Sequence, residues 1–395
     1  MKKILSLDIK YSAIQALYYG AYCALLGYAS VYLLNKGFSN SVIGVALALV
    51  SAIAVFTQPI VGSFADKNKH IELRKIICAI ILLAVILSAL IYFLGQGTIF
   101  LLCIFVGIAT CMMTITPLIN SLAFMFEKHG IELNFGLARG IGSAAYALVS
   151  FAIGYVVEDF GADILPLVYL VFNLLLIFVV YSFVLPKTEV KEVEETKKEE
   201  VAQEQLSFFQ FTLKYKKFTV FVLGTVFVFF THTIINNFFI QVITPIGGSE
   251  SQMGTAVFLA AILELPAMGL FNVIRSKVKC STLIKISVVL FAVKHGLTYL
   301  AGNMTMIYVA QVFQMGAYAI LTPASVYYVN EIISKNDLVK GQSMITMAVT
   351  ASGIIANLIG GVLLDALGVH EVLLLGVIVS IVGAVIVIFS TEKTA

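Results

Sequence analysis

Apolar runs of about twenty residues, separated by short polar joints, recur along the whole chain. Twelve stand out, at 9–34, 41–63, 75–95, 98–125, 139–158, 164–185, 218–240, 254–274, 281–300, 304–329, 342–364 and 372–390. Each is long enough to cross a bilayer as a helix. None alternates apolar and polar residues at a period of two, as barrel strands do. Lipid offers no hydrogen bonds to stray backbone, so spans of this length must be helical. The pattern therefore predicts an all-α membrane protein with twelve transmembrane helices. One segment breaks the rhythm. Residues 186–217 alternate Lys and Glu with almost no large apolar side chain before Leu206, and read as a solvated cytoplasmic linker. It divides the chain into a six-helix half at 1–185 and another at 218–395.

Composition agrees with lipid exposure rather than with a single buried core. Apolar residues make up 60% of the chain and charged residues 12%, about half the charged share of a soluble domain. The charges are sorted by side. Of 25 basic residues, all but Lys36 and Lys294 fall on one set of alternating joints. By the positive-inside rule that set is cytoplasmic, with both termini inside, and a plasma-membrane location is expected. The five cysteines form no CxxC pair and no cluster with histidine, so no metal site or disulfide framework is indicated. No cofactor and no nucleic-acid partner is expected. Neither a Walker loop, nor HExxH, nor a nucleophile elbow is present, which argues against an enzyme.

The two halves share a register. Pro59, Gly62 and Phe64 recur as Pro266, Gly269 and Phe271, 207 residues on. Thr116-Pro117 recurs as Thr322-Pro323. Gly154, Glu158 and Gly161 match Gly361, Asp365 and Gly368. Parallel six-helix repeats around a central linker are the pattern of transporters with a midplane site.

Polar residues inside the spans are the candidates for chemistry. Glu264 is the deepest carboxylate, with Lys294, His295 and His232 as possible partners. Two readings are open: a proton-coupling group, or a static ion pair that locks two helices. Neutral polar residues fall on helical faces. Gln311, Gln314, Tyr318, Thr322 and Ser325 share one face; Tyr11, Gln15, Tyr18 and Tyr22 share another. Asn236 and Asn237 lie on the seventh span, and Thr110, Thr114 and Asn120 on the fourth. These faces suit either a hydroxyl-rich solute or hydrogen bonding between helices. Arg139 opens the fifth span, where it either meets solute, snorkels to water, or pairs with Glu127 or Glu132.

The chain resembles the major facilitator superfamily over nearly its whole length. Gly62-x-x-x-Asp66-Lys67, followed by Arg74-Lys75, looks like that superfamily's signature between helices two and three, with its basic cluster interrupted by His70, Ile71 and Glu72. Gln58-Pro59-x-x-Gly62 and Asn134-Phe135-Gly136-Leu137-Ala138-Arg139, with Gly142, are similar to the lactose permease and nucleoside permease branch. The resemblance implies that helices one, four, seven and ten line a central cavity. It implies a solute contact for Arg139 and a coupling role for Glu264. Lys294 stands where the permease has an arginine. Gln314 and Ala317 stand where it has a histidine and the proton-carrying glutamate, and Asn120 replaces a sugar-contacting glutamate. The gating residues would be Gly62, Asp66, Lys67 and Arg74, with Asp66 meeting the inner end of the eleventh span near Gly341 and Gln342. The expected function is proton-coupled uptake of a small polar solute, a sugar or nucleoside, by a monomer. A proton-coupled exporter of amphipathic compounds and a transporter-like sensor are the alternatives.

Overall fold

The computed structural model describes residues 2–68, 70–93, 98–125, 133–184 and 207–393, and every regular element among them is a helix. The charged linker expected at 186–217 lies outside the described residues as far as 206. The helices gather into two compact units. One comprises Met1–Phe38 and Ala46–Lys198, the other Ser39–Val45 and Glu199–Ala395.

The N-terminal unit holds α1 (Lys2–Tyr22), α2 (Ala29–Asn35), most of α3 (Asn40–Lys67), α4 (Leu73–Tyr92), α5 (Ile99–Met125), α6 (Phe135–Phe160) and α7 (Leu165–Tyr181). The first expected span is one bent crossing. A π-helical turn at Cys23–Gly27 joins α1 to α2 at an angle of 43°. α1 packs on α6 and α7, and α4 on α5 and α7.

The C-terminal unit holds α8 (Phe208–Lys214), α9 (Lys216–Asn237), α10 (Phe239–Ile243), α11 (Glu250–Gly269), α12 (Phe271–Arg275), α13 (Cys280–Tyr299), α14 (Met304–Val312), α15 (Gln314–Ile332), α16 (Leu338–Leu367) and α17 (Val369–Ser390). Ser207 and Ser249 open α8 and α11 with reciprocal capping boxes to Gln210 and Gln252. α9 packs on α16 and α17, and α13 on α15 and α17. Phe218, Phe221, Phe291 and Tyr328 anchor the buried core of this unit. The expected tenth span is interrupted at Phe313. There the N–H groups of Phe313 and Gly316 turn back to carbonyls three residues earlier, a local tightening between α14 and α15.

Eleven helical stretches among the described residues are long and apolar enough to cross a membrane, and the bent α1–α2 pair supplies a twelfth. Exposed large apolar side chains such as Phe56, Ile60, Phe178 and Phe389 give these helices a surface suited to lipid.

The sequence repeat has a backbone counterpart. α6 ends at Gly161 and α16 at Gly368, with φ of 80° and 90°. Each glycine N–H closes on the carbonyl four residues back, Val157 and Leu364. With the extended ψ found at both, this region of backbone space is open almost only to glycine. Gly368→Ala is expected to destabilise the protein by about 1–3 kcal/mol, seen as a lower melting temperature in detergent. Gly353→Ala, inside α16 where nothing crowds a new methyl, is the control and is expected to raise stability by up to about 1 kcal/mol. Equal melting of both variants and wild type would contradict this.

Candidate functional site

In the C-terminal unit, three helices bring their deep polar residues together. α13 places Lys294 at 1% exposure, and α15 places Gln314 at its first turn. The Lys294 ammonium donates to Gln314 Oε1 at 2.5 Å, and Gln314 Nε2 donates to Glu264 Oε1 of α11 at 2.7 Å. One neutral amide thus touches both the buried cation and the deep carboxylate. It uses its acceptor on one and its donor on the other. His232 of α9 stacks on Tyr318 with ring centroids 5.6 Å apart, and its Nε2 accepts from Asn236 Nδ2 at 2.9 Å. His295 is fully buried, and its Nδ1 pairs with Ser380 at 2.8 Å. His232 Nδ1 and His295 Nε2 are buried with no hydrogen-bond partner among the described residues. Gln311 is buried on α14, and Asn237 donates to Asn357 of α16 at 2.7 Å.

In the N-terminal unit, α1, α5 and α6 form a second polar group. Gln15 donates to Tyr11 at 2.8 Å and to Asn120 at 3.2 Å. The Arg139 guanidinium lies 4.1 Å from the ring centroid of Tyr19 and donates to Ser143 at 2.7 Å. Glu127 and Glu132, suggested as its partners, lie outside the described residues. Tyr18 is buried, and its hydroxyl bonds the Met112 carbonyl and Thr116, tying α1 to α5. Tyr22 is half-buried against Tyr18 and Tyr19.

The signature segment sits at the junction of α3 and α4. Asp66 and Lys67 are exposed at the end of α3, and nothing among the described residues crowds Gly62. Arg74 is better anchored: it bonds Glu72 and the Tyr181 carbonyl, both at 2.5 Å. Hydrogen bonds from Arg74 and Lys75 bring the Glu72 carboxyl down to about 2. A depressed acid contributes its stabilisation above its ordinary range and loses it as pH falls through the lowered value. This clasp is therefore constant near neutrality and is not a pH switch. On α16, Gly341 packs against Val329 and Ile333, and Gln342 donates to Val326 and Asn330.

One arrangement escaped the sequence reading. Asp365 accepts four hydrogen bonds from the first turn of α3. Its Oδ1 takes Asn40 N at 3.1 Å and Asn40 Nδ2 at 2.9 Å, and its Oδ2 takes Ser41 N at 2.7 Å and Ser41 Oγ at 2.6 Å. Gln241 of α10 adds a bond to Asn40 Oδ1 at 2.9 Å. Two glycines let the backbones touch: a Cβ on Gly44 would strike the Asn357 carbonyl, and one on Gly361 the Asn40 carbonyl. This explains why Ser39–Val45 clusters with the C-terminal unit. The signal available in sequence was the repeated Gly154/Glu158 and Gly361/Asp365 pair, but its partner on α3 carries no motif of its own.

Ionisable side chains set deep in membrane-spanning helices, beside faces of neutral polar groups, are the equipment of a multi-pass transporter. The family comparison gives the same class. A model described as the MFS_1 like family matches residues 8–375, and the chain belongs to that family of major facilitator transporters. It is 23% identical over 382 residues to the "uncharacterized transporter YwbF" of Bacillus subtilis (strain 168), covering 94% of this chain and 91% of that protein. Among solved structures it is similar to the nucleoside transporter NupG. The TM-score is 0.78 at 16% identity, with both chains covered completely. A bacterial homologue of the human lysosomal transporter Spinster, inward-facing and unoccupied, has a TM-score of 0.67 at 16% identity, over 98% of this chain and 97% of that one.

Proposed function

We propose that this transporter couples inward proton movement to uptake of a small uncharged polar solute, a nucleoside or a sugar, across the plasma membrane. Both termini face the cytoplasm in this reading, and transport proceeds by alternating access. The observation that carries it is the Lys294–Gln314–Glu264 bridge. An intramembrane carboxylate is costly unless paired or protonated, and is functional by default. Here its hydrogen-bonding partner is an amide on the polar face that the sequence assigns to solute. A solute that competes for Gln314 loosens its bonds to Glu264 and Lys294. A proton on Glu264 removes the charge that Gln314 Nε2 bonds. Solute and proton are thereby read by one side chain. The neutral groups Asn236, Asn237, Gln311 and Tyr318 of the same unit suit a solute of hydroxyls and ring nitrogens, and Asn120, Arg139, Tyr18 and Tyr22 of the N-terminal unit are likewise assigned to solute. Likeness to a nucleoside transporter supports the nucleoside class. Asp66, Lys67, Arg74 and Gly62 are assigned to inner gating.

Gln314→Leu tests the bridge. A hydrogen bond to a charged group contributes about 1.5–3 kcal/mol, so solute affinity is expected to fall roughly tenfold or more. Isothermal titration with uridine and with neutral mono- and disaccharides reads this directly. Wild-type affinity for every solute that binds the parent protein would remove Gln314 from the site.

A further inference from the structure

Lys36 is the one basic residue on the side proposed to face outward, so charge sorting does not account for it. It lines a groove of about 500 Å³ at one end of the N-terminal unit, where α2, α4, α6 and α7 meet. Its ammonium lies 3.0 Å from Asp163 Oδ1, and Asn35 Nδ2 donates to the same oxygen at 2.8 Å. The Asp163 side chain is nevertheless 65% exposed. Beside the pair, the Tyr32 hydroxyl is buried with no hydrogen-bond partner among the described residues. Tyr92, Phe93 and Phe160 form the exposed aromatic rim, with Phe93 82% exposed. Tyrosine at the end of a membrane-spanning helix marks headgroup depth, and Tyr92 at the end of α4 is placed there.

From the adjacent cation and carboxylate and the aromatic rim, we infer that this groove binds a phospholipid whose zwitterionic headgroup carries a primary amine. The phosphate takes the Lys36 ammonium, and the lipid ammonium takes the Asp163 carboxylate. The acyl chains run down from the aromatic rim. A quaternary amine lacks the N–H donors that Asp163 accepts. An anionic headgroup satisfies Lys36 but opposes Asp163. The amine-bearing zwitterion alone answers both charges.

The chain contains no tryptophan, so Phe160→Trp gives a single reporter at the groove. Phe389→Trp gives one on an exposed apolar position of α17. Each is reconstituted in phosphatidylcholine vesicles containing equal fractions of brominated phosphatidylethanolamine, phosphatidylcholine or phosphatidylglycerol, and quenching is measured. Partly exposed ion pairs support only modest discrimination. Phosphatidylethanolamine is expected to quench the Phe160→Trp reporter with about threefold higher apparent affinity than the other two. The Phe389→Trp reporter is expected to show no preference. Adding Asp163→Asn or Lys36→Gln to the Phe160→Trp protein is expected to bring the ratio to about one. The inference is overturned by equal quenching at Phe160→Trp, by a preference for either other lipid, or by the same preference at Phe389→Trp. A ratio left unchanged by either substitution also overturns it.

Discussion

Glu264→Gln is expected to abolish proton-driven accumulation of solute while leaving solute exchange across the membrane intact. Glutamine keeps the size of the side chain and mimics a permanently protonated acid, so the binding face persists but no proton is carried. The pH dependence of uptake flattens. The same substitution strands Lys294, which is 1% exposed and held by Gln314. The two charges meet through the Gln314 amide rather than directly, so neutralising Glu264 leaves the buried cation less well compensated. A clear fall in melting temperature is therefore expected, and Lys294→Met in the Glu264→Gln background is expected to recover most of it. A static locking pair would give the same melting behaviour but leave pH-driven uptake unchanged, so the two measurements separate structure from coupling.

The second large effect is expected at Asp365. Its carboxylate caps the first turn of α3, taking two backbone N–H groups and two side-chain donors. A helix N-cap contributes about 0.5–2 kcal/mol, and a carboxylate at the positive helix end adds about 0.3–1 kcal/mol. Asp365→Ala is expected to raise hydrogen exchange at the Asn40 and Ser41 amides by roughly ten- to a hundredfold. Gly361→Val is expected to raise it too with Asp365 in place, because its side chain displaces the Asn40 carbonyl that Gly361 now admits. Wild-type exchange in both variants would mean that the first turn of α3 is held by other contacts.

Much of this architecture is legible in the chain itself, for a physical reason. Lipid forces spans to be long, apolar and helical, and loops to be sorted by charge, so hydropathy reports on topology directly. The same averaging hides local breaks. The π turn at Cys23–Gly27, the interruption at Phe313 and the break at Leu270 between α11 and α12 lie within apolar runs and leave no mark on their mean hydropathy. Individual site residues were visible as polar exceptions: Glu264, Lys294, Gln314 and His232 are conspicuous against their neighbours. Their connections were not, because they sit on α11, α13, α15 and α9. Spacing along one helix cannot say which residue of another helix it meets. Gln314 was read as a solute contact, and its bridging bonds to Lys294 and Glu264 required the packed unit. Asp365 stood in the repeated Gly-x-x-x-Asp pattern, but its partners at Asn40 and Ser41 are 325 and 324 residues distant.

Solute-induced proton movement tests most directly whether Gln314 reads both solute and proton. Wild-type protein and the Glu264→Gln variant are reconstituted in vesicles enclosing a pH-sensitive dye, with no imposed gradient. Uridine and neutral mono- and disaccharides are then added outside. The expected result is acidification of the vesicle interior by at least one of these solutes in wild type, and none in Glu264→Gln despite retained binding. Solute entry without proton movement in wild type, alkalinisation of the interior, or an undiminished signal in Glu264→Gln would contradict it.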